Sequence, residues 1–296
     1  MKILSFKDFL LMEGGLTFGS ASSHINQENV QATLDVFYKK YLPAIKMKKD
    51  NISPIGSTGK KGPGQSSGDI DIAIDTHQLI KNNPEIKTIS DIFSFLENKT
   101  KKFTTYYHSN TGLGVFNFLW PIENIDGKQE GKLVQIDLMF SESLKFSQWA
   151  YHAPFWNQSK YKSKVRNELL RAVARMAYWK TIKKLPNGQE VEWEKYIISP
   201  NVGLIKIRQT NLGKKGNVVK NITKVSDELV TNDPETALTL VLGKFATLQD
   251  TDSFETVWKF INSSKYPYRN KIEEIKKMAI EFFKQAGVEP IPDELA

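Results

Sequence analysis

The chain has 296 residues, enough for one large domain or two of ordinary size, and its 40% apolar and 11% aromatic content is that of a folded protein. It has no cysteine, which excludes disulfides, thiolate metal sites and a cysteine nucleophile; no apolar run approaches the roughly 20 residues that cross a bilayer, which points to a soluble protein with no membrane partner. The formal charge of +8 and the pI near 9.3 favour anionic partners such as nucleotides and nucleic acid.

In chain order, Met1 to Glu13 is short, amphipathic and carries both charges. It is similar to the capsid-targeting leaders of internal proteins in T-even-like phages, which end in aliphatic-x-Glu, the form of Leu11-Met12-Glu13 before Gly14. That resemblance implies cleavage after Glu13, packaging in a virion and delivery to the cytoplasm of a bacterial host; a helical or disordered arm is the other reading. Gly14 to Asn26 reads as a linker, so residues 1–26 form a leader and linker. Gln27 to Ile45 has Val30, Leu34, Phe37 and Tyr41 at helical spacing, with Pro43 placed to end or kink the helix. Gly59 to Gly68 holds four glycines and Pro63 and must be a loop. Asp69 to Ile74 alternates Asp with aliphatic residues, the pattern of a strand with one acidic and one buried face. A helix is expected over Ile89–Phe103, and strands over Leu113–Trp120 and Leu133–Phe140 joined by the polar turn Glu123–Gly131.

After residue 150 the pattern changes. Ser163–Ile182 reads as a helix with Val165, Leu169, Val173 and Met176 on one side, and Asn187-Gly188 suggests a small hairpin. Asp233-Pro234-Glu235 is a helix start, and Phe254–Ile261 and Lys271–Ala286 are further helices, the last stopping at Gly287. The expectation is a chain of α+β class: residues 27–150 carry a mixed sheet, and residues 151–296 form a mainly helical domain.

Three carboxylates and a Gly-Ser pair carry the chemistry. Residues i and i+2 of a strand share a face, so Asp69 and Asp71 point together while Ile70 and Ile72 enter the core. Paired carboxylates repel, and divalent cations with hard oxygen ligands resolve the conflict. Asp137, a lone acid in Val134–Phe140, makes sense if its strand lies beside the first, with the turn residues Asp126 and Glu130 as weaker rivals. Gly56-Ser57 opens the glycine-rich loop, where backbone N–H groups can face phosphate oxygens, and Lys60 and Lys61 are placed to meet their charge. The histidines His24, His77, His108 and His152 have no ligand-like spacing, so zinc is not expected.

The run from Gly56-Ser57 to Asp69-Ile-Asp71, with a third acid on a later strand, resembles the signature of the DNA polymerase β-like nucleotidyltransferase superfamily. The loop is most similar to the branch of CCA-adding enzymes, oligoadenylate synthases and cyclic-oligonucleotide synthases. The resemblance covers roughly residues 50–145. It implies a nucleotidyltransferase domain with Asp69, Asp71 and Asp137 as the catalytic and metal-binding residues for two Mg2+ ions, with Mn2+ as a substitute. Gly56, Ser57, Lys60, Lys61 and Ser67 would hold the incoming NTP. Lys61-Gly62-Pro63 departs from the branch, which more often has Gly-Thr there, and leaves open which lysine does what.

For the acceptor, Lys160 to Lys224 holds sixteen Lys/Arg against four acids, Glu168, Glu190, Glu192 and Glu194. Lys164, Arg171 and Arg175 fall on one helical face opposite the apolar one, near Tyr161, Tyr178 and Trp179, and Lys214-Lys215 lie in a loop; these are the nucleic-acid-binding candidates. An ordinary amphipathic helix explains the same spacing. The leading reading is transfer of an NMP from an NTP to a hydroxyl acceptor, most simply tRNA-like RNA. Nucleotidylation of a protein, synthesis of a nucleotide messenger, or an inactive, phage-packaged nucleic-acid-binding protein are the rivals. The sequence says nothing of oligomeric state.

Overall fold

In a computed structural model of the chain, the structure describes residues 17–112, 114–213 and 215–295, with the side chain of Ile89 set aside. The expected leader therefore lies outside the described residues. The class is α+β with a mixed sheet and several helices. Two compact units divide at Lys160/Tyr161, ten residues beyond the boundary the sequence suggests. Among the described residues no helix is long and apolar enough to cross a membrane.

The first unit runs β1 (Ile25–Asn26), α1 (Gln27–Ala44), β2 (Ile52–Pro54), β3 (Ser66–Ser67), β4 (Asp69–Asp75), α2 (Thr76–Asn82), α3 (Ile89–Thr100), β5 (Tyr107–Asn110), β6 (Val115–Pro121), β7 (Leu133–Ser141) and α4 (Leu144–Ala150). Pro43 sits in the last turn of α1, which ends one residue later, as expected of a residue that cannot donate to the carbonyl four positions back. Five strands form one sheet in the order β2-β4-β7-β6-β5. Only β4 and β7 run parallel; every other pair is antiparallel.

The period of two decides what each face does. Ile70, Ile72 and Ile74 of β4, Val134, Ile136, Leu138 and Phe140 of β7, and Phe116, Phe118 and Trp120 of β6 share one face. That face packs under Val30, Leu34, Phe37 and Tyr41 of α1 and Ile92, Phe93 and Leu96 of α3. Aromatic rings fill its centre: Phe37 stacks on Tyr41 at 5.1 Å and meets Trp120 edge-on at 5.6 Å. The opposite face carries only a small apolar cluster, Ile55, Ala73, Val115, Met139 and Tyr151 with Leu144 against it. The large core frees this second face for polar residues.

The second unit runs α5 (Ser163–Ala177), β8 (Trp179–Lys184), β9 (Glu190–Ser199), β10 (Gly203–Leu212), β11 (Val218–Thr231), α6 (Pro234–Leu242), α7 (Phe254–Ile261) and α8 (Ile272–Ala286). The expectation of a mainly helical domain is corrected here: four antiparallel strands in the order β11-β10-β9-β8 make up much of the unit. The helix expected to reach Ile182 stops at Ala177, because Trp179 to Lys184 pair with β9 instead. The expected helix starts hold: Asp233 caps α6 by accepting from the Thr236 N–H at 2.9 Å, with Pro234 in its first turn.

Phe37→Ala removes a fully buried ring from the centre of the first core and should destabilise the fold by about 3–5 kcal/mol in denaturant unfolding monitored by circular dichroism.

Candidate metal and phosphate site

The parallel register sets Asp71 opposite Asp137, and the antiparallel neighbour sets Asn117 opposite Asp137. Three adjacent strands therefore place Asp71, Asp137 and Asn117 in one row, with Asp69 and Gln135 in the next. All are odd-numbered and lie on the face away from the large core. Asp69, Asp71 and Asp137 each offer a carboxylate oxygen within 4.8 Å of the others.

Asp137 is buried and held by two side-chain amides. Asn117 Nδ2 donates to its Oδ1 at 2.6 Å and Gln135 Nε2 donates to the same oxygen at 2.8 Å. With Oδ1 so engaged, Oδ2 is the atom left to take a further ligand. Neither amide was singled out by sequence. The usable signal was the one that exposed Asp137: Asn117 is a lone polar residue inside the apolar run Val115–Trp120. Asp126, the rival acid, belongs elsewhere: Asn26 and Asn29 donate to its two oxygens at 2.7 and 2.9 Å and hold its carboxyl down at about 2.

Electrostatics mark the triad as a place where buried like charges crowd together. Burial, then the charges of Asp69 and Asp137, raises the Asp71 carboxyl well above the usual range. Burial and then Asp69 push Asp137 up to about 7, against the pull of the two amides. A carboxyl raised in the folded state binds its proton more tightly folded than unfolded, so the ion-free protein loses stability as pH rises from the unfolded value of about 4 through about 7. A divalent cation relieves the same strain. Three converging carboxylates with hard oxygen donors, in a site that already needs positive charge, fit magnesium or a similar ion.

The glycine-rich loop is laced onto the edge of β4 beside this row. Ile55 N–H donates to Asp71 O at 3.0 Å, and the Thr58 hydroxyl accepts from the Asp71 N–H at 3.2 Å. This presses Gly56 against the carboxylate: a Cβ there would lie 3.0 Å from Asp71 Oδ2, and its φ of +62° is left-handed. Gly56 N–H donates to Tyr151 O at 3.1 Å, docking the segment after α4 onto the loop. Lys60 Nζ donates to Ala153 O at 2.7 Å and lies 3.4 Å from His152 Nδ1, so this lysine braces that segment. Trp156 N–H donates to Lys60 O at 3.2 Å, and the Trp156 indole lies so close to Gly62 that any Cβ would come within 2.8 Å of it. Ser57 and Lys61 are half-buried on the same loop. Ser67 is buried in β3, paired with Ile25 of β1, two residues ahead of Asp69.

The nucleic-acid candidates are placed differently from expectation. Helix α5 is not an exposed basic face, because α6, α7, α8 and β9 all pack on it. Arg171 and Arg175 are half-buried, with guanidinium groups 4.2 and 5.7 Å from the Phe282 ring centre, and Lys164 is half-buried in the first turn. The four acids of the basic band are each engaged: Glu168 with Arg171, Glu190 with Lys184, Glu192 with Arg208, and Glu194 with the Tyr178 hydroxyl. Lys215 is exposed in the β10–β11 connection, and Lys214 lies outside the described residues.

No protein-family model matches the chain, and no curated protein matches it significantly.

Two outcomes check this reading of the site. In EDTA the wild-type Tm should fall more steeply than that of Asp137→Asn between about pH 5.5 and about pH 8, and magnesium should recover a few degrees at the higher pH. Gly56→Ala, which sets a methyl group against Asp71 in a left-handed backbone, should abolish the magnesium-induced rise while far-ultraviolet circular dichroism stays unchanged.

Proposed function

We propose that the chain is a metal-dependent nucleotidyltransferase of the polymerase β-like class its motif resembles, moving an NMP from an NTP to a hydroxyl acceptor with release of pyrophosphate. The observation that carries the reading is the convergence of Asp69, Asp71 and Asp137 within 4.8 Å beside a glycine whose missing side chain opens space at the Asp71 carboxylate. A lone acidic cluster serves many ends; one sharing a strand edge with a glycine-rich loop suits a triphosphate and its metal ions together.

Asp69 and Asp71 would hold the ions that accompany the triphosphate, with Asp137 completing the set. When bound, divalent cations supply positive charge that steadies both the entering and departing oxygens of an in-line displacement. The Thr58 and Lys60 N–H groups already donate within the loop, so the Ser57 hydroxyl and the remaining loop N–H groups would be the donors to phosphate oxygens, and Lys61 would add charge on the same loop. Asn117 and Gln135 fix Asp137 through Oδ1 and leave Oδ2 to face the reacting groups. Asp137, fixed in this way, would accept the proton of an attacking hydroxyl.

RNA is the acceptor favoured by the net charge of +8 and the exposed lysine at 215. The test incubates the protein with labelled NTPs, magnesium, and total RNA or bacterial lysate. Label is expected on RNA. Label on protein or in a small soluble product would move the acceptor but keep the chemistry. Asp69→Asn, Asp71→Asn and Asp137→Asn should each lower transfer by at least about a hundredfold with the fold intact, and full activity in any of them would remove that residue from the site.

A further inference from the structure

Most glycines of the loop answer to the backbone, but Gly62 answers to a side chain. Its φ is not left-handed, yet a Cβ there would lie 2.8 Å from Cε2, 2.9 Å from Cδ2 and 3.1 Å from Nε1 of Trp156. The Cδ2–Cε2 bond is shared by the two fused rings and cannot be approached in the ring plane, so Gly62 meets the flat face of the indole. Gly62 is buried while Trp156 is 54% exposed, which turns the other face of the indole to water. Among the described residues no second ring and no cation meets it. Tryptophan is on average a highly buried residue, and one sealed on a single face is a stacking surface with one side unused.

The ring is fixed to the glycine-rich loop along its length. Gly56 N–H donates to Tyr151 O at 3.1 Å, Lys60 Nζ to Ala153 O at 2.7 Å, and Trp156 N–H to Lys60 O at 3.2 Å. Gly56 and His152 also form a parallel bridge. The segment from Tyr151 to Trp156 therefore follows the loop in the same direction, from Gly56 beside the Asp71 carboxylate to Gly62. Its five peptide steps span at most about 18 Å, the length scale of one extended nucleoside triphosphate. Lys61, half-buried next to Gly62, sets positive charge on the same stretch.

We propose that Trp156 is the base platform of the nucleotide site: the base of the incoming NTP stacks on the open face of the indole, with its phosphates along the glycine-rich loop toward the triad. Stacking on an aromatic side chain needs only the π-face that every base has, so the ring selects by stacking strength and not by hydrogen-bond pattern. A purine covers more of a fused ring than a pyrimidine does, which makes purine nucleoside triphosphates the favoured substrates. The inference rests on the reading of the loop as a triphosphate cradle. It adds a residue that positions the nucleotide and sets a preference among bases, and it draws on the first unit alone.

The test titrates the full chain calorimetrically with ATP, UTP and tripolyphosphate, each with magnesium; tripolyphosphate has the phosphates and no base. Wild type should bind ATP about tenfold more tightly than tripolyphosphate, with UTP between them. Trp156→Ala should weaken ATP about tenfold and leave tripolyphosphate unchanged, and Trp156→Phe, which keeps a ring, should hold part of the difference. Fluorescence gives a second readout that does not depend on the alanine variant folding: ATP should quench tryptophan emission in wild type, and the quench should vanish in Trp156→Phe although ATP still binds. Tripolyphosphate binding with an ATP preference that survives Trp156→Ala, or a quench that survives Trp156→Phe, would overturn the platform and leave the cradle standing. Failure of the wild type to bind either ATP or tripolyphosphate would remove the cradle and the platform with it. Quenching by a short RNA in EDTA, with none by ATP and magnesium, would assign the ring to an acceptor base and also overturn the proposal.

Discussion

The first unit is organised around a repulsion. A parallel strand pair sets Asp71 against Asp137, with Asp69 one row away, and the row beyond, Ala73, Met139 and Val115, is apolar. The carboxylates are thus shut from water on one side while facing each other, which is why burial exceeds their mutual charge as the cause of their raised pKa values. Such an arrangement destabilises the fold unless something else holds the strands in register. The opposite sheet face does so: its isoleucines, phenylalanines and Trp120 are anchored under α1 and α3, and slipping β4 or β7 by one residue would turn that whole set outward. The apolar half of each strand therefore fixes the register that the acidic half opposes.

This division explains why the candidate site was legible in sequence. Asp69-Ile-Asp-Ile states both faces within four residues, and a lone acid among Val, Ile, Leu, Met and Phe does the same at Asp137. Period-two alternation is local information. The pairing of strands is not, so Asn117, which partners Asp137 only once β6 and β7 are adjacent, is not legible, whereas Gln135 shares the face of Asp137 two residues earlier on β7. The contact between Gly62 and Trp156, 94 positions apart, was equally out of reach.

The second unit shows where such reading fails. Tyr178, Trp179 and Lys180 continue the helical spacing of α5, and only pairing with β9 turns them into a strand. In β11 nearly every residue from Val218 to Leu229 is exposed, so no buried face imprints an alternation, and the strand exists through its ladder to β10. The basic band misled for a related reason. A count along the chain treats each lysine and arginine as surface charge, whereas Lys184, Lys206 and Arg208 are paired across neighbouring strands, and Arg166 is fully buried with its guanidinium on Thr251 O and Asn167.

On the sheet of the first unit three carboxylates converge within 4.8 Å of one another. Burial and mutual charge raise the Asp71 and Asp137 carboxyls, so their convergence costs the fold stability at neutral pH. Replacing buried charges by apolar groups of similar volume is commonly neutral or stabilising, and removing one member of a repelling set relieves strain instead of creating it. A structural salt bridge contains its own counter-charge, as Glu168 and Arg171 do. The acidic triad instead gathers like charges on adjacent strands. Three converging carboxylates with hard oxygen donors are suited to a divalent cation from solution. Ion pairs elsewhere in the molecule, such as Lys206 with Glu228 and Arg208 with Glu192, already bring opposite charges together.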